Sequence, residues 1–292
     1  MKKNVQKPFY TLDVFTNQRF KGNPLAVVGD AEGLTSEQMQ IIAREFNLSE
    51  TLFLLPPIEK DSLAHLRIFT PRRELSFAGH PIVGASHVIA KMIDISDGGS
   101  VHLTCQTGRV DVCFSETKQG FIAELSVPKI PQFIAELDTD LITQHMGLVA
   151  GEGGYYKSSP DKNSPEFAIF EVNQENMAQA IAPPDGLAGF PFSLIYLVHI
   201  DETQNKAEVR AFAPRDGIPE DPATGSAAVT LAAYLARSFP EREAEQRWQI
   251  SQGAQMGRHS QIYIRFRQKE GKVLFCYLSG YSVQVSEGVL NV

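Results

Sequence analysis

The stretch that decides the fold is Arg67-Ile68-Phe69-Thr70-Pro71-Arg72, followed by His80-Pro81-Ile82-Val83-Gly84-Ala85. It has a second copy: Arg210-Ala211-Phe212-Ala213-Pro214-Arg215, then Asp221-Pro222-Ala223-Thr224-Gly225-Ser226. The leading blocks lie 143 residues apart and the trailing blocks 141, so the intervening loop differs by two residues. Each copy reads as strand, Pro-marked turn, loop and helix N-terminus. Both helices continue in small and apolar residues, Ala85 to Ile93 and Ser226 to Leu235. Proline suits a helix's first turn because its missing N–H would lack a partner anyway. The glycine three residues on lets the backbone approach a neighbour or ligand closely. Ordinary capped helices would account for the trailing blocks, but not for a shared Arg-x-Phe-x-Pro-Arg block upstream. A repeat at this period implies a duplication into two related halves. Two such helix starts facing each other across a cleft would offer free N–H groups and positive dipole ends. That is a carboxylate- or phosphate-binding arrangement needing no lysine or metal.

Outward from the repeat, residues 8–15 and 25–28 read as strands joined by the turn-rich Phe20-Lys21-Gly22-Asn23-Pro24. Thr35 with Gln38 three residues on forms a capping box. Met39, Ile42, Ala43 and Phe46 then make one apolar helical stripe that Asn47 ends. Further strands are predicted over 51–55, 64–70, 101–105, 109–114, 120–126, 167–172, 193–200, 206–213, 247–252, 260–267, 272–279 and 282–286. Helices are predicted over 35–46, 81–93, 138–146, 174–182, 223–237 and 240–246. This is an α+β mixture, rich in strands and without the rhythm of a doubly wound sheet. Residues 127–137 read as the link between two domains, 1–127 and 128–281. Residues 151–165, with Gly, Ser, Lys and two prolines, read as a surface loop.

The chain has 292 residues, 43% of them apolar and 21% charged, enough for two domains of middle size. The net charge is −7 with no basic run, which points away from nucleic acid and anionic membranes. No apolar run reaches the length of a membrane span, and no apolar signal core follows the first lysines. Cys105, Cys113 and Cys276 form no metal-ligand spacing, and an odd number excludes a complete intrachain disulfide framework. They read as reduced, mostly core thiols of a cytoplasmic protein. There is no G-x-G-x-x-G, P-loop or H-E-x-x-H, so neither cofactor nor metal is expected.

The run Arg67-Ile-Phe-Thr-Pro-Arg-Arg-Glu-Leu-Ser-Phe-Ala-Gly-His-Pro-Ile-Val-Gly-Ala85 resembles the first signature of the PhzF-like family of phenazine biosynthesis. Glu220-Asp-Pro-Ala-Thr-Gly-Ser-Ala-Ala228 resembles the second. Asp13-Val-Phe-Thr16 through Gly22-Asn-Pro24, Leu48-Ser-Glu-Thr51 and Gln252-Gly-Ala-Gln-Met-Gly-Arg258 fit as well, so the likeness covers almost the whole chain. It implies a diaminopimelate epimerase-like fold: two pseudo-symmetric domains, each a bent, mostly antiparallel, barrel-like sheet around a central helix. Residues 282–292 would return to the first domain. It also implies a homodimer. The cysteine-dependent epimerases and racemases of this fold place a thiol in each motif, where this chain has Ala78 and Pro222. The chemistry then falls to carboxylates, histidine and hydroxyls. His259 stands where the family often has proline, and reads as a change in a surface loop.

Glu50 is the candidate general acid/base: burial in a closed cleft would raise its pKa and let it take and return a proton. On bare sequence an exposed glutamate beside a strand is the favoured reading, and the Leu48-Ser-Glu-Thr51 match reverses that in favour of the catalytic one. His80 would orient substrate or exchange a proton, or else bond the backbone at a helix start. Asp221 would hold a substrate amine or hydroxyl, or cap the helix. Ser226 and the backbone of Gly79, Thr224 and Gly225 would hold carboxylate oxygens. Asn23 positions substrate or builds the turn. His87 reads as packed or exposed. Together these imply a cofactor-independent isomerase moving a proton on a small carboxylate substrate between the domains. A related epimerase or racemase, or a non-catalytic carboxylate binder, remains an alternative.

Overall fold

The computed structural model describes residues 5–157, 166–183 and 187–292, which divide into two compact units. One holds residues up to Pro128 together with Ser279–Val292, the other Lys129–Leu278. The first unit runs β1 (Gln6–Val14), β2 (Asn23–Val28), α1 (Ser36–Phe46), β3 (Glu50–Leu55), β4 (Ala64–Phe69), β5 (Glu74–Leu75), α2 (Gly79–Met92), β6 (Ser100–Cys105), β7 (Gly108–Thr117) and β8 (Gly120–Ser126). The second runs β9 (Gln132–Glu136), α3 (Thr139–Met146), β10 (Glu152–Lys157), β11 (Glu166–Glu171), α4 (Gln174–Gln179), β12 (Leu194–Asp201), β13 (Lys206–Ala213), β14 (Ile218–Asp221), α5 (Gly225–Ser238), β15 (Glu245–Gln252) and β16 (Ser260–Lys269). A last strand, β17 (Lys272–Asn291), ends in the first unit, where its residues 282–291 pair antiparallel with β1.

One order of strand pairing recurs in both units. In the first, β1–β2 is antiparallel, β2–β3 parallel, β3–β4 antiparallel, β4–β6 parallel and β6–β7 antiparallel. In the second, β10–β11, β11–β12, β12–β13, β13–β15 and β15–β16 repeat that sequence of orientations. The short strands β5 and β14 fold back antiparallel on β4 and β13 in the same way. The strands alternate inward and outward with period two: Val110, Val112 and Phe114 are buried along β7, and Ile262, Ile264 and Phe266 along β16. The helices enclosed by these sheets are buried nearly all round. In the first unit α2 packs on β1, β2, β3 and β8; in the second α5 packs on β9, β11 and β16. Gly84 makes the first enclosure possible, since a Cβ there would fall 2.4 Å from Leu25 Cδ2 and 2.7 Å from Val14 Cγ2.

The repeated Arg-x-Phe owes its spacing to a clamp. Arg67 makes a two-pronged ion pair with Glu74, at 2.7 Å for each prong, and its guanidinium lies 5.2 Å from the Phe69 ring centroid. Arg210 does the same with Glu220, at 2.8 Å for each prong, and lies 5.0 Å from the Phe212 ring centroid. Each clamp ties a strand to the hairpin that leads into the central helix.

The capping box of α1 forms as expected, with Thr35 and Gln38 bonded reciprocally and Asn47 left-handed at φ 51°. Other expectations fail. Residues 240–246 form no helix; they turn and enter β15 at Glu245. Glycines do not keep 152–157 in a loop, because that segment is β10, paired on both sides with β9 and β11; 158–165 lie outside the described residues. The expected link contains β9. Of the three cysteines, Cys105 and Cys276 are buried and Cys113 is exposed. Among the described residues no helix is long and apolar enough to cross a membrane.

Two predictions follow from this packing. Arg210 and Glu220 are 9% and 17% exposed in their side chains, whereas Arg67 and Glu74 are 20% and 22% exposed. Removing one partner of a buried pair strands the other charge, so Glu220→Ala should cost about 3 kcal/mol in urea unfolding and Glu74→Ala less. On α2, burial followed by the Lys91 charge holds the His87 imidazole down to a pKa of about 4. The unfolded chain takes up that proton near 6.5 while the folded chain does not. The stability His87 contributes is therefore complete above pH 6.5 and is lost as pH falls towards 4. The loss is at most about 3 kcal/mol. Unfolding free energies of His87→Gln should fall less steeply over that range than those of the wild type.

Candidate active site

The first group of site residues is assembled where β3 begins beside the start of α2. Glu50 opens β3, with Leu25 of β2 beside it in parallel register. His80 is the second residue of α2 and is 3% exposed. Its Nδ1 lies 2.9 Å from Glu50 Oε2. With Glu50 as carboxylate, Nδ1 carries the hydrogen and donates it. The other ring nitrogen, Nε2, is buried and has no hydrogen-bond partner among the described residues. A polar atom so placed in a protein interior costs free energy until a partner bonds it. The N-cap of α2 is Ala78, whose side chain cannot cap, so the first-turn N–H groups stay unbonded to any capping side chain.

Asn23 enters the same neighbourhood through the β1–β2 loop and is 1% exposed. The Ser49 hydroxyl lies 3.4 Å from Asn23 Oδ1. The loop needs Gly22, at φ +64°, because a Cβ there would sit 2.3 Å from the Val14 carbonyl. Asp13 Oδ2 accepts the Phe20 N–H at 2.5 Å and closes the turn. Asn23 is the first residue of β2, paired with Val14, and its side-chain amide is buried beside Ser49.

The second group lies at the start of α5. Here Asp221 is the last residue of β14, not a helix cap. The N-cap is Thr224, and its hydroxyl does not cap either: it donates to Asp221 Oδ2 at 2.6 Å. Gln252 locks the group. Its amide donates to the Asp221 carbonyl at 2.8 Å and to Thr224 Oγ1 at 3.0 Å. Its carbonyl accepts the Thr224 N–H at 3.1 Å and the Tyr196 hydroxyl at 3.2 Å. The Thr224 N–H is thereby spent inside the protein, which corrects its expected use towards a carboxylate. Gly225 and Ser226, the first helical residues, keep that possibility. Burial, reinforced by the Asp221 charge, pushes the Tyr196 phenol well above its usual range, so it stays a neutral donor. Pro222 lies ahead of the helix, unlike Pro81 inside the first turn of α2.

Sequence reading assigned no role to Gln252 or Tyr196. A signal existed: along β15, Gln246, Trp248, Ile250 and Gln252 are the inward-facing set, and a polar residue in such a row needs partners. His259, in an exposed loop, pairs with Ser251 at 2.9 Å. His87 takes no part in either group. Among the described residues no three of His, Cys, Asp and Glu converge as a metal ion would require.

Two units of one topology, each enclosing a central helix without a side-chain cap, make up a diaminopimelate epimerase-like fold. The sequence matches the family described as phenazine biosynthesis-like protein, PhzC–PhzF, over residues 12–288. An uncharacterized isomerase of Mesorhizobium japonicum is 35% identical, covering 96% of this chain and 97% of its own. The trans-2,3-dihydro-3-hydroxyanthranilate isomerase of Pseudomonas aeruginosa is 32% identical over 96% of this chain and 98% of its own. The crystal structure of a PhzF-family phenazine biosynthesis protein of Bacillus anthracis superposes with a TM-score of 0.81 at 22% identity, covering 99% and 100% of the two chains. The chain belongs to the phenazine biosynthesis-like family and is an isomerase.

Gly253 closes the second group from below, at φ +75°. A Cβ there would meet the Arg258 carbonyl at 2.6 Å and the Pro222 carbonyl at 2.7 Å. Both contacts are backbone atoms that cannot swing aside. Gly253→Ala should therefore cost roughly 2 kcal/mol in denaturant unfolding, from left-handed strain and the displaced Pro222 turn.

Proposed function

We propose that the protein is a cofactor-independent isomerase that moves a proton by general acid–base catalysis on a small carboxylate-bearing substrate. The observation that carries this reading is the Glu50–His80 pair, with Nδ1 and Oε2 at 2.9 Å and the buried Nε2 left without a protein partner. A carboxylate hydrogen-bonded to an imidazole can take a proton from carbon and hold it until it is returned elsewhere on the same molecule. In this reading Glu50 removes the proton and gives it back at a second carbon. His80 donates to Glu50 through Nδ1 and meets the substrate through Nε2. The N–H groups at the uncapped start of α2, from Gly79 on, suit a substrate carboxylate, since they combine free donors with the positive end of the helix dipole. Asn23 adds an amide for a polar substituent. Asp221, oriented by Thr224, accepts a hydrogen bond from a substrate amine or hydroxyl, with Gly225 and Ser226 as further donors. Donors fixed before the reaction stabilise the charge that develops during it without reorganising.

The named activity of the Pseudomonas aeruginosa relative supports testing cyclic amino and hydroxy carboxylates first. Three cysteines, two of them buried, agree with a cytoplasmic setting, and the family likeness supports a homodimer.

The test is proton exchange in heavy water, followed by NMR over a panel of small amino and hydroxy carboxylates that includes trans-2,3-dihydro-3-hydroxyanthranilate. The wild type should isomerise a panel member or exchange its proton. Glu50→Gln should bind the same compound while losing turnover by roughly 10²–10⁴-fold, the usual contribution of a general base. Wild-type turnover in Glu50→Gln would overturn the assignment. Inversion at a stereocentre would move it to epimerisation, and binding without exchange in the wild type would make the protein a carboxylate binder.

A further inference from the structure

We infer that Phe15, turned out of its strand by a left-handed backbone and given room by Gly280, is the residue that positions the His80 ring. The inference rests on the Glu50–His80 reading above and adds to it a device in the first unit. One hydrogen bond holds His80, from Nδ1 to Glu50, and Nε2 has none. A single bond fixes one atom of the imidazole. Rotation about that contact is limited only by what the ring faces meet, and the aromatic neighbour recorded there is Phe15. Its ring is fully buried, with its centroid 6.5 Å from that of His80 and its plane tilted by 40°.

Phe15 does not reach this position by continuing β1. The β1–β17 ladder ends at Val14 opposite Ser282. Val14 faces α2, since a Cβ on Gly84 would lie 2.7 Å from its Cγ2. Strict alternation would send the next side chain to the opposite face. Instead Phe15 adopts φ 62°, a conformation that a bulky residue takes only under constraint. Its N–H donates to the Tyr281 carbonyl at 2.8 Å, which holds the turn, and the turn aims the ring back to the side where α2 carries His80. The neighbouring residue on β17 must then be glycine: a Cβ at Gly280 would fall 2.3 Å from Phe15 Cδ1 and 2.9 Å from Cε1. Because the ring is enclosed, it could yield to such a methyl only by moving against its other neighbours, His80 among them. The returning strand β17 therefore sets the imidazole through Phe15. Phe15 is a positioning residue, and Gly280 its necessary partner.

The experiment reads the His80 tautomer by ¹⁵N NMR of histidine-labelled protein, with no substrate present. The wild type should show His80 with the hydrogen on Nδ1 alone. Phe15→Leu, folded by circular dichroism and thermal melting, should lose that single state and populate both tautomers. Gly280→Ala should do the same from the other side of the ring. The double variant Gly280→Ala/Phe15→Leu should be no worse than Phe15→Leu, because the methyl then has space. An unchanged Nδ1–H state in either folded single variant would overturn the inference. Unfolding of both single variants would overturn it equally, by making Phe15 a residue of the fold alone. Since the readout needs no turnover, a wild type that isomerises nothing would reject the proposed reaction and leave this test decisive.

Discussion

Everything in this structure is arranged around the cost of enclosing a helix inside a bent sheet. A helix buried on all sides has no polar face to spare. Small residues and a Gly84 pressed against Val14 and Leu25 are what let α2 fit. Neither central helix has a side-chain cap, because Ala78 cannot cap α2 and Thr224 bonds Asp221 instead of capping α5. A buried, uncapped helix start is unfavourable unless an anion or another acceptor is part of the protein's working cycle. The site is in that sense a consequence of the packing.

The duplication shows how one scaffold carries two different side-chain arrangements. Both units keep the Arg–Glu clamp, the same order of strand pairings and a central helix. They differ in what stands at the helix start. In the first unit a carboxylate and an imidazole share one short contact, and one nitrogen is left over. In the second the Thr224 hydroxyl holds the Asp221 carboxylate, and Gln252 ties down the Asp221 carbonyl and both the hydroxyl and the N–H of Thr224. Gln252, with four hydrogen bonds to Asp221, Thr224 and Tyr196, makes the second arrangement rigid.

Much of this was legible in the chain. The Arg-x-Phe blocks and their Pro-marked turns announce the duplication. Period-two rows and apolar helices give most elements, and the motifs around Leu48–Thr51 and His80–Pro81 pick out Glu50 and His80. The failures have physical causes. Residues 240–246 carry helix-favouring charged residues, yet tertiary pairing with β16 claims Glu245 onward for a strand. Gly153 and Gly154 look like loop residues, yet β10 accepts them because its neighbours come too close for a side chain: a Cβ on Gly153 would lie 2.0 Å from the Ile169 carbonyl. Asp221 looks like a helix cap until the helix is seen to begin four residues later.

By itself the sequence determined the α+β class, the repeat, the family and the residue types available for chemistry, because these follow from local pattern and from motifs that stay contiguous. Only the tertiary structure decided which groups meet. Glu50 and His80 are 30 residues apart, and Gln252 reaches Asp221 and Thr224 across 31 and 28 residues. Phe15 and Gly280 come together from opposite ends of the chain. No local propensity encodes those distances. They are set by strand register and by the volume left between a sheet and the helix it encloses, and both exist only once the whole unit has folded.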